Sequence, residues 1–226
     1  MPSLTILVML AALVAITLLA RRDARAATLA RNSILDPALS VLDKPQLSFD
    51  ASGFPKIEGL LKGRAFRVAL IPDTLTIRRL PQLWLAVTLK RSLRSVRGSV
   101  AILIRPSGSD YYSLTERMDE QLPLPDGFPQ ECLIKGEGAG ARETLDRIAP
   151  YAAALLSDPK IKELVVSSRG VRIVRQAAEG KRGEHLLLRQ SVFEGARLEA
   201  QELQTVVDAI TRIENALLES DLVSAA

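Results

Sequence analysis

The sequence predicts an α+β fold: an N-terminal transmembrane helix, an antiparallel β-meander, then a helix–three-strand–helix subdomain. Three observations carry this. An uncharged apolar run opens the chain, segments of period-two alternation follow between about residues 55 and 105, and helical spacing takes over near residue 142. The expected divisions are an anchor over 1–20, a tether over 21–54, a β-rich region over 55–130, and an α+β subdomain with two amphipathic helices over 131–226.

The anchor is the run from Leu4 to Ala20, in which Thr5 and Thr17 are the polar side chains. At 1.5 Å per residue it covers roughly 25 Å, close to the hydrocarbon thickness once its flanks are counted. A threonine hydroxyl bonds back to the preceding turn, so neither one breaks the span. Arg21, Arg22 and Arg25 flank the inner end, since arginine is costly in hydrocarbon. A cleaved signal peptide is the competing reading, with Ala24-Arg25-Ala26 as an A-x-A site. That site lies beyond a charged cluster, the apolar run is long, and Met1-Pro2-Ser3 supplies no basic side chain. An uncleaved single-pass anchor is therefore expected. Basic residues are retained on the cytoplasmic side, which places the N-terminus outside and the main domain in the cytoplasm, at the cell's inner (plasma) membrane. Export after signal cleavage is the alternative.

Residues 21–54 begin with good helix formers, but Asn32-Ser33, Pro37, Pro45 and Ser52-Gly53 then interrupt any long element. Ile34, Leu35, Val41 and Leu42 either dock on the domain or lie among headgroups. Strands are expected over Lys56–Leu61 and Arg64–Ile71 around a Lys62-Gly63 turn. Others are expected at Leu75 and Ile77, at Leu83–Leu89 and at Val100–Ile104. Residues 107–130, rich in proline and glycine, are expected as a long surface connection with one helical turn, before a short strand at Cys132–Ile134. The stripe Leu145, Ile148, Ala152, Leu156 predicts a helix stopped at Ser157-Asp158-Pro159. Strands at Glu163–Ser167, Val171–Arg175 and His185–Val192 follow. The stripe from Leu203 to Leu217 predicts a closing amphipathic helix.

Hydrophobic residues at 47% and charged residues at 25% exclude global disorder. One cysteine, Cys132, excludes an internal disulfide, and one histidine, His185, excludes a His-rich metal site. No catalytic, cofactor-binding or metal-binding residues are assigned, and no cofactor is expected. Gly136-Glu137-Gly138-Ala139-Gly140 precedes a helix but lacks the Gly-Lys-Ser/Thr ending of a P-loop, so it reads as a flexible connection. His185 beside Glu184 has no partner at readable spacing. Cys132 sits in an apolar segment and reads as an inert thiol. Glu116, Asp119 and Glu120 read as solvated, and Trp84 as packing.

Charge is the more informative signal. Lys62, Arg64, Arg67, Arg78, Arg79, Lys90, Arg91, Arg94, Arg97 and Arg105 face one acid, Asp73, over that stretch. The closing helix reverses this with Glu199, Glu202, Asp208, Glu214, Glu219 and Asp221 against Arg212. From this set, Arg64, Arg67, Arg78, Arg79, Lys90, Arg91, Arg94 and Arg97 are candidates for contact with an anionic surface. Alternatively, they decorate a solvated sheet face and pair with the acidic helix.

The anchor, the segment K-I-E-G-x-x-x-G-R-x-x-R-V from Lys56 to Val68, and the tail from Gly136 to Ser220 together resemble uncharacterised bacterial membrane-anchored proteins with an N-terminal transmembrane helix and an α+β domain. That resemblance implies membrane association and no known activity. The function expected is a non-enzymatic, membrane-tethered interaction or scaffold domain whose partners are membrane lipids, through the helix, and an unidentified protein. The alternative is an enzyme acting on lipid or envelope substrates. Nucleic-acid binding by the basic sheet is disfavoured, because aromatic residues are 4% of the chain.

Overall fold

A computed structural model describes residues 2–73, 80–180, 193 and 195–224, with side chains from Thr5 to Glu219. It is α+β, with a long apolar N-terminal helix, a nine-stranded antiparallel sheet and helices packed on that sheet. The expected segments at Leu75 and Ile77 and at His185–Val192 lie outside the described residues, as do Arg78 and Arg79.

Helix α1 (Pro2–Asn32) runs unbroken through the apolar segment and past Arg21, Arg22 and Arg25. At 1.5 Å per residue it is about 46 Å long, and it is long and apolar enough to cross a membrane. The Thr17 hydroxyl donates to the Leu13 carbonyl at 2.7 Å, the back-bond that lets a threonine sit in hydrocarbon. From Thr5 to Ala30 every side chain is exposed, so the helix leaves the folded domain without leaning on it.

The segment expected as a tether contains a docking element. Ile34, Leu35, Ala38 and Leu42, around the short helix α2 (Asp36–Leu39), are buried in the main core. The Ile34 carbonyl accepts from the Leu198 amide at 2.9 Å. The Arg31 guanidinium lies 5.4 Å from the Phe54 ring centre. Docking, rather than immersion among headgroups, is what these residues do. Strand β1 (Asp43–Phe49) follows and forms one sheet edge.

Strands β2 (Pro55–Leu61), β3 (Arg64–Asp73) and β4 (Gln82–Lys90) continue the meander. Lys62 and Gly63 both take positive φ, 51° and 75°, the two-residue turn whose twist matches an antiparallel hairpin. The chain then crosses to β5 (Ser99–Ile104), β6 (Glu120–Gln121) and β7 (Cys132–Glu137). Helix α3 (Ala141–Leu156), β8 (Ile161–Ser167), β9 (Gly170–Glu179) and helix α4 (Ala200–Ser224) complete it. The order across the sheet is β1-β2-β3-β4-β9-β8-β5-β7-β6, so β9 and β8 lie between the meander and β5.

Register explains the core. Ile57, Val68, Val87, Ile173, Leu164, Ile102 and Ile134 are successive cross-strand partners on the face covered by α3 and α4. The opposite face is covered too. Trp84, Ala86 and Val174 pack with Tyr112, while Ala101 and Val165 pack with Met118. The stretch expected as a surface connection is thus a second cover layer, with its one helical turn at Thr115–Arg117. Period-two alternation in β4 and β5 hides this, because Trp84, Ala86, Ala101 and Leu103 at the alternate positions are buried as well.

Candidate functional site

The densest polar cluster lies between the sheet and the stretch from Arg105 to Met118. Glu163 of β8 is fully buried, with one oxygen accepting from the Ser113 hydroxyl at 2.6 Å and the Leu114 amide at 2.8 Å. Its other oxygen meets Arg172 of β9 at 3.0 Å, and Arg172 also donates to the Tyr112 carbonyl at 3.2 Å. Beside it, the Lys162 ammonium donates to the Ile104 and Arg105 carbonyls, at 3.0 and 2.6 Å, and pairs with Asp110 at 3.2 Å. The Trp84 indole N–H points to Asp73 at 3.4 Å.

Burial pushes the Glu163 carboxyl up, against the lowering pull of Arg172, Ser113 and the Leu114 amide. Burial likewise pushes Arg172 down, against Glu163. Both are drawn toward neutrality, so desolvation outweighs their attraction, as in many buried ion pairs. Asp110 goes the other way. Burial raises it, but the Ser107 hydrogen bonds and the Lys162 charge together bring it below its usual value.

This cluster fastens a cover layer. A serine beside a buried carboxylate is where a nucleophile is sought, yet Ser113 is 5% exposed and shares its hydroxyl with Thr115 at 2.7 Å. Substrate has no access to it. Burial raises the Cys132 thiol, which makes it a poor nucleophile. Among the described residues no group of three His, Cys, Asp or Glu side chains is placed to hold a metal. His185 lies outside the described residues.

The glycine-rich segment 136–140 is a tight junction rather than a flexible link. A Cβ on Gly98 would fall 2.2 Å from the Ala141 amide nitrogen, and one on Gly140 would fall 2.6 Å from the Arg97 Cβ. The Thr144 hydroxyl closes the junction by donating to the Gly98 carbonyl at 3.0 Å. These glycines let α3 start directly against the β5 strand. Glu116, Asp119 and Glu120 are exposed and Trp84 is buried.

The candidate anionic-surface residues separate into distinct groups. Arg64 and Arg91 converge on Glu214 of α4 at 2.8 and 2.9 Å, and Glu214 is fully buried. Arg67 and Lys90 both hold Glu58 of β2, at 2.6 and 2.7 Å; the Lys90 and then the Arg67 hydrogen bonds lower its pKa. Arg94 and Arg97 are exposed, with no carboxylate partner among the described residues. Arg21, Arg22 and Arg25 are exposed along α1. Pairing between basic strands and acidic helix therefore accounts for Arg64 and Arg91, and a strand carboxylate for Arg67 and Lys90. The Glu58 pairing went unseen in the sequence because Glu58 lies on an adjacent strand, legible only once register is known.

Docking was one of two readings of Ile34, Leu35, Val41 and Leu42 in the sequence; the buried Ala38, not singled out there, completes the joint. A groove between α3 and α4 is lined by Tyr151, Leu155, Arg175, Val206 and Ala209. Arg175 is held between Asp158 at 3.5 Å and Glu202 at 3.2 Å.

Comparison with known proteins finds no matching family and no matching curated protein. Among solved structures, the crystal structure of the mycobacterial trehalose monomycolate transport factor A, TtfA, is similar over 85% of this chain and 92% of that chain, with a TM-score of 0.39 and 11% identity. A likeness of that size says nothing about activity.

Proposed function

We propose that this chain is a single-pass inner-membrane interaction or scaffold protein, with its N-terminus outside and its α+β domain in the cytoplasm. The observation that carries the reading is the continuity of α1 with the domain: one helix runs from Pro2 to Asn32, exposed from Thr5 to Ala30, and the next turns are buried in the core. Beyond Ala20 the helix continues to Asn32 for about 18 Å, a stiff spacer that lifts the domain off the bilayer. Arg21, Arg22 and Arg25 at its start favour cytoplasmic retention of that end. Tethering raises the domain's local concentration at the membrane, so a modest affinity suffices for a membrane partner. Membership among uncharacterised bacterial membrane-anchored proteins remains part of this proposal.

A non-enzymatic role is supported by the state of the polar groups. The buried cluster is engaged in fastening its cover layer, and Arg175 in the α3–α4 groove already has two carboxylates. An enzyme on lipid or envelope substrates would instead need convergent titratable groups open to a pocket.

Protease digestion of sealed inner-membrane vesicles tests the orientation. In right-side-out vesicles the domain is protected, and in inverted vesicles it is degraded. The opposite pattern overturns the cytoplasmic assignment.

A further inference from the structure

We propose that the end of the sheet remote from the anchor is a docking rim for an acidic protein segment, formed by Arg94, Arg97, Arg169 and Lys62. This deepens the interaction reading above and rests on it. Strand directions define the rim. The β2–β3 turn, the β4–β5 crossing and the β8–β9 turn all lie at one end, because β4 ends at Lys90 opposite Gly170 and β5 starts beside Val166. Helix α1 joins at the other end, where Arg31 covers Phe54 just before β2. Lys62 lies eight residue steps from Phe54 across β2, about 26 Å at 3.3 Å per residue.

Rim and joint are thus about three Debye lengths apart at physiological salt, about 8 Å each, so charge at the joint end of the sheet is screened from the rim.

The rim is held rigidly. The Arg91 amide donates to the Arg169 carbonyl at 3.1 Å, and the Leu93 amide donates to the Ser168 carbonyl at 2.9 Å. Gly170 has φ of +136°, and a Cβ there would fall 1.9 Å from the Leu89 carbonyl oxygen, so backbone meets backbone where the two turns join. Arg64 and Arg91 are neutralised by Glu214, whereas Arg94, Arg97, Arg169 and Lys62 are exposed without a carboxylate partner among the described residues. Exposed acids near this end are Glu137 and Glu143, by the β7–α3 junction against which Arg97 packs, and Glu219, two residues past the Leu217 carbonyl that accepts from Ser95. Lys62 and Arg169, at the β2–β3 and β8–β9 turns, carry positive charge outside that junction.

Charge complementarity selects an anionic partner. Residues 62–63, 91–98 and 168–169 include no aromatic ring on which a base could stack, so an acidic polypeptide is favoured over single-stranded nucleic acid.

Two measurements test this on the full chain. In native membranes, a zero-length carbodiimide joins amines to carboxylates. Arg94→Lys and Arg169→Lys, which keep the charge, should each give adducts mapping the introduced amine to Asp or Glu of another protein. A photo-crosslinker at Leu47, on the distant β1 edge, serves as the control site. Adducts at Leu47 with none at the rim overturn the rim while leaving the interaction reading intact; no adduct at any site overturns both.

In detergent micelles at low salt, a fluorescent oligo-glutamate peptide should bind, and Arg94→Glu/Arg97→Glu/Arg169→Glu should weaken it about tenfold or more. Unchanged peptide affinity, or tighter binding of a DNA oligomer than of the peptide, overturns the acidic-protein assignment.

Discussion

Replacing Arg172 with methionine should be far more damaging than replacing Arg172 and Glu163 together. The single change leaves the Glu163 carboxylate buried at zero exposure with its Ser113 and Leu114 donors but without its counter-charge. Breaking one side of a buried pair costs about 3–5 kcal/mol. For a chain of this size each kcal/mol moves the melting temperature by about 2–4 °C, so Arg172→Met should lower it by roughly 6–20 °C at neutral pH. The double variant Glu163→Gln/Arg172→Met removes both charges and keeps an amide oxygen for Ser113 and Leu114. Because burial draws both groups toward neutrality, this variant should lie within about 1.5 kcal/mol of the parent. Thermal unfolding of the three proteins in micelles, followed by near-UV circular dichroism on Trp84 and Tyr112, measures both effects. A shift below about 3 °C for the single variant, or a double variant as unstable as the single, would refute the view that desolvation dominates this cluster.

Stability against pH should divide between two carboxyls. The raised Glu163 contributes stability that is present below its ordinary 4.5 and lost as pH climbs through its folded value, so Glu163→Gln should flatten that decline. The lowered Asp110 contributes stability above its ordinary 3.8 that is lost as pH falls through its folded value, and Asp110→Asn should flatten that acid limb; a parallel curve for either variant removes its assignment. Leu35→Ala should cost about 2–5 kcal/mol, since Leu35 is fully buried in the main core, and a loss below about 1 kcal/mol in urea titration would show the anchor joint to be superficial. Deleting residues 2–32 should leave cooperative unfolding intact, whereas deleting residues 2–54 removes Ile34, Leu35, Ala38, Leu42 and Phe54 and should abolish it; calorimetry showing equal transitions would contradict that. Gly170→Ala should destabilise by more than about 1 kcal/mol, because its φ and the Leu89 carbonyl both exclude a Cβ, and an unchanged melting temperature would mean that the turns are not clamped.

Local periodicity made most elements legible. The Lys62-Gly63 turn, strands β2 to β5, helix α3 and the stripe on α4 follow from spacing and turn chemistry, which depend on near neighbours. What was not legible depends on pairing between distant residues. Nothing local says that β9 inserts beside β4, or that Tyr112 and Met118 cover the second sheet face. For the same reason Glu58 was invisible as the partner of Arg67 and Lys90, and although pairing with the acidic helix was legible, only helix placement singles out Glu214 for Arg64 and Arg91. The proline- and glycine-rich composition of residues 107–130 suggested a surface loop, yet its apolar residues were sufficient to form a layer.

The strand order also dictates a sequence of events during synthesis. The anchor and the meander emerge first, but β4 has its partner β9 only when Gly170 follows Lys90 out of the ribosome, about 80 residues later. At 5–20 residues per second that interval is roughly 4–16 s. Throughout it, β4 presents an unpaired edge and two apolar faces. The nascent chain therefore passes through a long-lived half-sheet, and its safe completion depends on the arrival of the C-terminal strands.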